Sequence, residues 1–483
     1  MLDQYRNFAL TKLTRLSPRM LPFADIATAD VPLSRLLRLS LFQVSVGMAL
    51  VLLAGTLNRV MIVELGVPAS IVGVMFSLPL VFAPFRALIG FKSDVHVSAL
   101  GWRRVPFIWR GSMYQFAGFA VMPFALLVLS GYMDAANLPP WIGICSAGIA
   151  FLLVGIGAHM VQTVGLALAT DLAGPKNEAN VVGLMYVMLL IGMMLSALIF
   201  GAILTNYSPG RLIQVIQATA VLTLIINVIA VWKQEPRDRS RATRPAPDDD
   251  FKAAWRAFIA GDSTTRRLII IGLGTLGFGM ADVVLEPYGG QVLGMSVAAT
   301  TRLTATFAIG GLIGFALASR ILTRAHADPM RLALIGLVVG LPGFAAIILS
   351  SSHIILPLFL AGTFAIGFGT GLFAHGTLTA TIRSSKAEQT GLALGVWGAV
   401  QATAAGVAIA LGGAIRDIIA AMPEHAGGGV KNGYHGVFLL EATLLVIAII
   451  VCWRCRSGAT SQVHPTAGEQ PSPPHGHHEK IAA

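Results

Sequence analysis

Charge is what this 483-residue sequence most lacks: only 12% of it is Asp, Glu, Lys or Arg, against about 25% in a usual soluble domain. With 55% hydrophobic residues and a mean hydropathy of +0.74, that deficit excludes a string of soluble domains. It excludes a disordered chain as well, because disorder requires low hydrophobicity. Cysteine is scarce too. Cys145, Cys452 and Cys455 cannot build a disulfide framework, and the CxxC at 452–455 has no second pair to complete a structural zinc site. No metal site is expected. The first 35 residues lack a roughly 7–15-residue apolar stretch ahead of a small-residue cleavage site, so no cleavable signal peptide is expected. A phosphate-binding GxxxxGK[ST] is missing, and GLGTLGFG at 272–279 lies inside an apolar run rather than after a strand. No nucleophile–base–acid constellation is present, so the chain is not expected to be an enzyme.

What fills the sequence is apolar runs of about 20 residues, the length that crosses a hydrocarbon core about 30 Å thick. Twelve are found, near 36–58, 67–90, 106–130, 141–168, 180–204, 211–232, 268–292, 303–322, 331–351, 354–380, 390–415 and 436–453. They are continuously apolar and do not alternate, so they read as helices rather than barrel strands. The expected fold class is an all-α membrane protein with twelve transmembrane helices.

The net charge of +11 would suggest nucleic acid in a soluble protein, but here it sorts by membrane face. If the spans are threaded in order, 29 of the 34 Lys and Arg residues fall on one side. Arg59, Arg211, Arg302, Arg416 and Lys431 fall on the other. The positive-inside rule then places both termini in the cytoplasm, and no nucleic-acid partner is expected. The expected localisation is a membrane crossed many times. The organisation reads as a tail at 1–35, a six-helix half at 36–232, a linker at 233–267, a second half at 268–456 and a disordered tail at 457–483. Within the linker, Phe251, Ala254, Trp255, Phe258 and Ile259 form an apolar stripe after Asp250, predicting a short interfacial helix capped by that acid. Lys176 and Glu178 recur as Lys386 and Glu388, 210 residues later. Six-plus-six repeats of this kind are the architecture of major facilitator transporters.

Gly90, Asp94, Gly101, Arg103 and Arg104 in the loop after the second span resemble the facilitator loop motif, with a longer gap between Asp94 and Gly101. A carboxylate facing a helix N-terminus with arginines beside it would latch the two half-bundles together. Inside the spans, ionisable groups are rare and default to functional candidates. Asp282 and Glu286 in the seventh span are one turn apart on one face, and Pro287 is expected to kink or end that helix. Arg59, at the end of the first span, is expected to pair with one of these acids; proton coupling and a hydrogen-bonding role at a substrate are the alternatives. Gln115, Gln162 and Gln401 are candidates for the same cavity, or for core hydrogen bonds. Gly310-xxx-Gly314 and Gly391-xxx-Gly395 read as packing faces.

Three longer stretches carry a closer resemblance: LPFADIATADVPLSRLLRLSLFQVSVGMALVLLAGTLNRVMIVEL, FAPFRALIGFKSDVHVSALGWRRVPFIWRG and ADVVLEPYGG. They resemble the bacteriochlorophyll delivery family of the PucC/LhaA type, a branch of the facilitator superfamily in purple photosynthetic bacteria. The resemblance covers residues 20–455. It implies a factor in the photosynthetic membrane that binds or delivers bacteriochlorophyll to light-harvesting antenna polypeptides, with reaction-centre or pigment-synthesis proteins as further partners besides lipid. A bacteriochlorophyll needs an axial ligand for its Mg. His159 in the fourth span and His375 in the tenth occupy equivalent positions beside glycines, and with Gln162 they are the pigment-binding candidates. The competing reading of the same sequence is a proton-coupled facilitator for a small amphipathic molecule, in which Asp282 and Glu286 carry the function.

Overall fold

A computed structural model describes residues 32–81, 86, 89, 92–93, 96, 101–173, 178–235, 262–322, 327–351, 355–384, 390–423, 425 and 427–460. Thirteen α-helices appear in chain order: α1 Leu33–Leu50, α2 Ala69–Val81, α3 Val105–Leu129, α4 Pro140–Ala173, α5 Glu178–Ile203, α6 Pro209–Val231, α7 Asp262–Gly279, α8 Ala281–Gln291, α9 Val297–Leu322, α10 Pro329–Ser350, α11 Leu356–Ser384, α12 Thr390–Ala421 and α13 Val430–Thr460. No strand occurs among the described residues. Eleven helical segments are long and apolar enough to cross a membrane, α7 and α8 together counting as one of them. The second span is described continuously only over α2, a shorter apolar helix. The predicted linker helix, the 176–178 and 386–388 repeat side chains, Gly90, Asp94 and tail residues 1–31 and 461–483 lie outside the described residues, whereas 33–35 and 457–460, expected in the tails, are helical parts of α1 and α13.

Apolar side chains point outward as well as inward, as lipid immersion requires. Ile149, Val221, Ile313 and Val338 are exposed mid-helix, while Trp109, Trp232 and Trp453 at one end and Tyr132 and Trp141 at the other form exposed aromatic belts. The first end carries the predicted basic loops and is called the basic side below.

The helices pack in two sets. In the first, α3 lies on α4 and α6, and α1 lies on α4, α5 and α6; in the second, α11 lies on α9 and α10, and α13 on α7, α10 and α12. The two most extensive contacts between the sets are α2 with α12 and α5 with α9. Counted as spans these are 2 with 11 and 5 with 8, and each becomes the other when every span is advanced by six. A pseudo-twofold axis along the membrane normal produces this exchange.

Small residues permit the close approaches. A Cβ on Gly310 or Gly314 would meet the Phe364 or Phe368 carbonyl at 2.3 Å, and one on Gly367 would meet the Phe307 carbonyl at 2.1 Å. The 310–314 pair is therefore a packing face of α9 against α11, as expected. Gly395 differs: it faces open space, so the second glycine pair is not a packing face at that position.

Cross-half hydrogen bonds gather away from the basic side. Ser70 N–H donates to Asp417 at 2.7 Å, Thr56 and Thr301 hydroxyls pair at 3.3 Å, and Arg302 donates to the Gly201 carbonyl and Thr205 hydroxyl, both at 3.2 Å. Toward the basic side the halves meet through apolar and aromatic contact, with Val182, Ile271, Leu378 and Trp397 in one cluster.

Candidate functional site

The seventh span does not run straight. It breaks at Met280 between α7 and α8, seven residues before the proline expected to interrupt it, and continues through Pro287 to Gln291. A proline removes the N–H that would bind the carbonyl four residues back, here Val283. That carbonyl accepts instead from the Asn58 side chain at 3.0 Å, so the first span supplies the missing donor and the helix survives. At the break itself the Ala281 N–H donates to Glu441 at 2.7 Å. Glu441 is fully buried on α13. Sequence reasoning passed over it, although a lone acid in LLEATLLVIAII is the signal that could have found it.

Opposite the break, the first span loosens into π-helical turns at Val51–Leu57 and Val60–Glu64, a form that often marks functional positions. Ala54 and Gly55 from these turns, Asp282 and Glu286 from α8, and Thr304 and Phe307 from α9 line a small cleft of about 60 Å³, room for water-sized groups and well short of the roughly 300–1,000 Å³ typical of drug-sized ligand pockets. Asp282 and Glu286 thus share one cavity, as their spacing predicts. Asp282 is exposed into it, whereas Glu286 is buried and accepts from the Thr304 hydroxyl. Arg59 does not pair with either acid. Its partners are Glu64, five residues on, and the Met295 carbonyl at 3.1 Å. A nearer acid on its own span outcompetes the predicted partner. The pair adjoins Tyr207, between the fifth and sixth spans, whose phenol burial and then Glu64 push up while Arg59 pulls it down.

A second polar cluster lies toward the basic side. Arg86, one of the 29 basic residues that the sequence assigns to one membrane face, is half-buried and donates to Gln162 at 2.8 Å and to Thr163 at 2.9 Å on α4. Gln162 in turn donates to the Gln43 carbonyl oxygen of α1 at 3.5 Å. His159 and Tyr186 lie within electrostatic reach of the Arg86 guanidinium. From Tyr186 a chain of rings crosses to the other half: it stacks on Phe315 with centroids 6.2 Å apart and meets Trp397 edge-on at 6.0 Å, and Phe315 contacts the His375 ring at 4.1 Å. The two candidate histidines therefore flank one aromatic bridge in unlike settings. His159 is half-buried near a cation; His375 is buried among apolar groups, and its Nδ1 has no partner among the described residues. Gln115 belongs to neither cluster, since it accepts from Asn227 at 3.2 Å in the α3–α6 packing.

The described part of the loop motif is a latch within one half. Gly101 takes a positive φ of 78° that favours glycine, turning the chain into α3. The N-terminal amides of that helix, from Arg103, Arg104 and Val105, donate to Glu235 at 2.7–3.0 Å. Arg103 and Arg104 both bind Asp171 at the end of α4. The carboxylate at the helix N-terminus is thus Glu235, after α6, and these contacts tie spans three, four and six, while Asp94 of the motif lies outside the described residues. Sequence reasoning could not see this, because Glu235 is over 130 residues from the amides it caps.

Fold and clusters together define a multi-pass membrane protein of the major facilitator type, with polar groups facing a cleft between two six-span halves. A bacterial homologue of the human lysosomal transporter Spinster, solved inward-facing and occupied, superposes with a TM-score of 0.63 at 16% identity, covering 89% of this chain and 98% of that one. More particularly, the family model described as PUCC protein matches residues 56–458, and the chain belongs to that family. It is 62% identical to Protein PucC of Rhodovulum sulfidophilum over 84% of this chain and 89% of that protein. It is 59% identical to Protein PucC of Rhodobacter capsulatus over 92% and 97%. A more distant relative, 23% identical over 86% and 95%, is the bacteriochlorophyll synthase 44.5 kDa chain of Rhodobacter capsulatus.

Proposed function

We propose that this protein is a non-enzymatic assembly factor that binds bacteriochlorophyll and delivers it to light-harvesting antenna polypeptides, in a bacterial photosynthetic membrane with both termini in the cytoplasm. Membership of the PUCC family and a relative named for bacteriochlorophyll synthesis support the pigment class. The observation that carries the reading is His375. A neutral imidazole with a free ring nitrogen is a fit ligand for a metal that needs one axial donor, and the His375 Nδ1, enclosed without a hydrogen-bond partner among the described residues, is not committed to any other group. The adjoining Phe315, Tyr186 and Trp397 supply flat apolar faces for a macrocycle. His159 is the weaker candidate, because the nearby Arg86 charge opposes placing a second cation on its ring. The antenna polypeptides would dock elsewhere, once pigment is loaded.

The test is complementation of a photosynthetic host lacking its own copy of this protein. Wild type should restore antenna absorption and co-purify with tetrapyrrole pigment in mild detergent. His375→Ala should lose most of both while inserting normally, and His159→Ala should lose less. Antenna spectra unaffected by removing the protein would reject the proposal.

A further inference from the structure

The basic-side cluster holds more hydrogen-bond donors than acceptors. Arg86 spends two of its five N–H groups on the neutral oxygens of Gln162 and Thr163 and has no carboxylate partner among the described residues. The Gln43 side-chain nitrogen is fully buried without an acceptor, and Tyr186 lies within electrostatic reach of the same guanidinium. Counting helical rise from the nearest basic-side helix end, Gln43, Gln162 and Tyr186 lie about 12–17 Å in, and His375 about 14 Å. The surplus donors and the free imidazole are therefore at one level of the bundle, on either side of the Tyr186–Phe315 bridge.

A guanidinium cannot relieve such a surplus by losing a proton. An unneutralised charge at this depth is costly unless something brings it an acceptor, and the acceptor that satisfies charge and donor count together is a carboxylate. Arg86, Tyr186 and His159 all keep part of their surface open, so a ligand can reach them.

We infer that Arg86, with Gln43 and Tyr186, is a carboxylate-binding subsite, so that the tetrapyrrole is taken up in its free-acid form, acid group on Arg86 and central metal toward His375. This inference rests on the pigment-binding reading above. It also orders events. An esterified pigment offers Arg86 only carbonyl oxygens, so the acid is the tightly held form and the ester the readily released one. The protein accordingly takes up the tetrapyrrole acid and releases the ester, so esterification falls between uptake and delivery.

Zinc protoporphyrin IX and its dimethyl ester test this directly, titrated by absorbance against the purified full-length protein in detergent. Wild type should bind the acid about 10–100-fold more tightly than the ester, the worth of one charge-assisted pair. Arg86→Gln should bring that ratio to about one by weakening the acid far more than the ester, Arg86→Lys should keep part of it, and Gln43→Leu should lower it several-fold. Equal binding of acid and ester to wild type overturns the carboxylate subsite and leaves pigment binding intact. Failure of wild type to bind either compound rejects the pigment reading and this inference together.

Discussion

The two polar clusters inside the bundle have opposite imbalances. Around the break in the seventh span, acceptors are in surplus: Glu286 Oε2, Glu441 Oε2 and Asn58 Oδ1 are buried without partners among the described residues. Near the basic side, donors are in surplus, on Arg86 and Gln43. The first imbalance can be met from within, because a carboxyl can take up a proton and because most of these groups already hold backbone. Glu441 holds the Ala281 N–H, and Asn58 holds the carbonyl that Pro287 leaves free. The second can be met only by an incoming acceptor. One cluster secures a broken helix, and the other is shaped for a ligand.

That contrast predicts which substitutions cost stability and which cost binding. The largest stability effect should come from Glu441→Leu, which strands the buried Ala281 N–H where α8 begins. A loss of about 2–3 kcal/mol is expected, read as earlier thermal unfolding in detergent, with Glu441→Gln recovering roughly half because it keeps an acceptor. An unchanged transition in the Leu variant would break the assignment of this cluster as structural. Next comes Asn58→Leu, expected to cost about 1–2 kcal/mol. Its dependence on the proline sharpens the point: combined with Pro287→Ala, which returns an N–H to the Val283 carbonyl, the loss should shrink, and a double-mutant cycle measures the coupling. Additive effects would mean that Asn58 does not stand in for the missing donor. Smallest should be Glu235→Gln, about 0.5–1 kcal/mol from weakening a charged cap on α3, with the tetrapyrrole acid-to-ester ratio unaffected because the latch lies outside the ligand cluster.

Much of this was legible from residue order, and the exceptions share a cause. Asp282 and Glu286 were identified by rarity and by spacing, and they do share a cavity. Gln162 was identified as a polar group in an apolar run, and it does meet a charged partner, though that partner is Arg86. The misassignments concern who meets whom. Arg59 takes Glu64 instead of a seventh-span acid, the loop arginines take Asp171 and the α3 amides take Glu235, and Pro287 leaves its helix intact. Each depends on a neighbour brought close by packing, often more than 100 residues away.

What the sequence by itself determined is therefore the one-dimensional part: spans, sidedness and the rarity of buried charge follow from local composition, because crossing lipid is a condition each segment meets alone. The low charge content that excludes a soluble chain also singled out most of the residues that matter. Only the tertiary structure decided the breaks, caps and imbalances. Whether a buried polar group is satisfied depends on the helix packed against it, and no span carries that information about another.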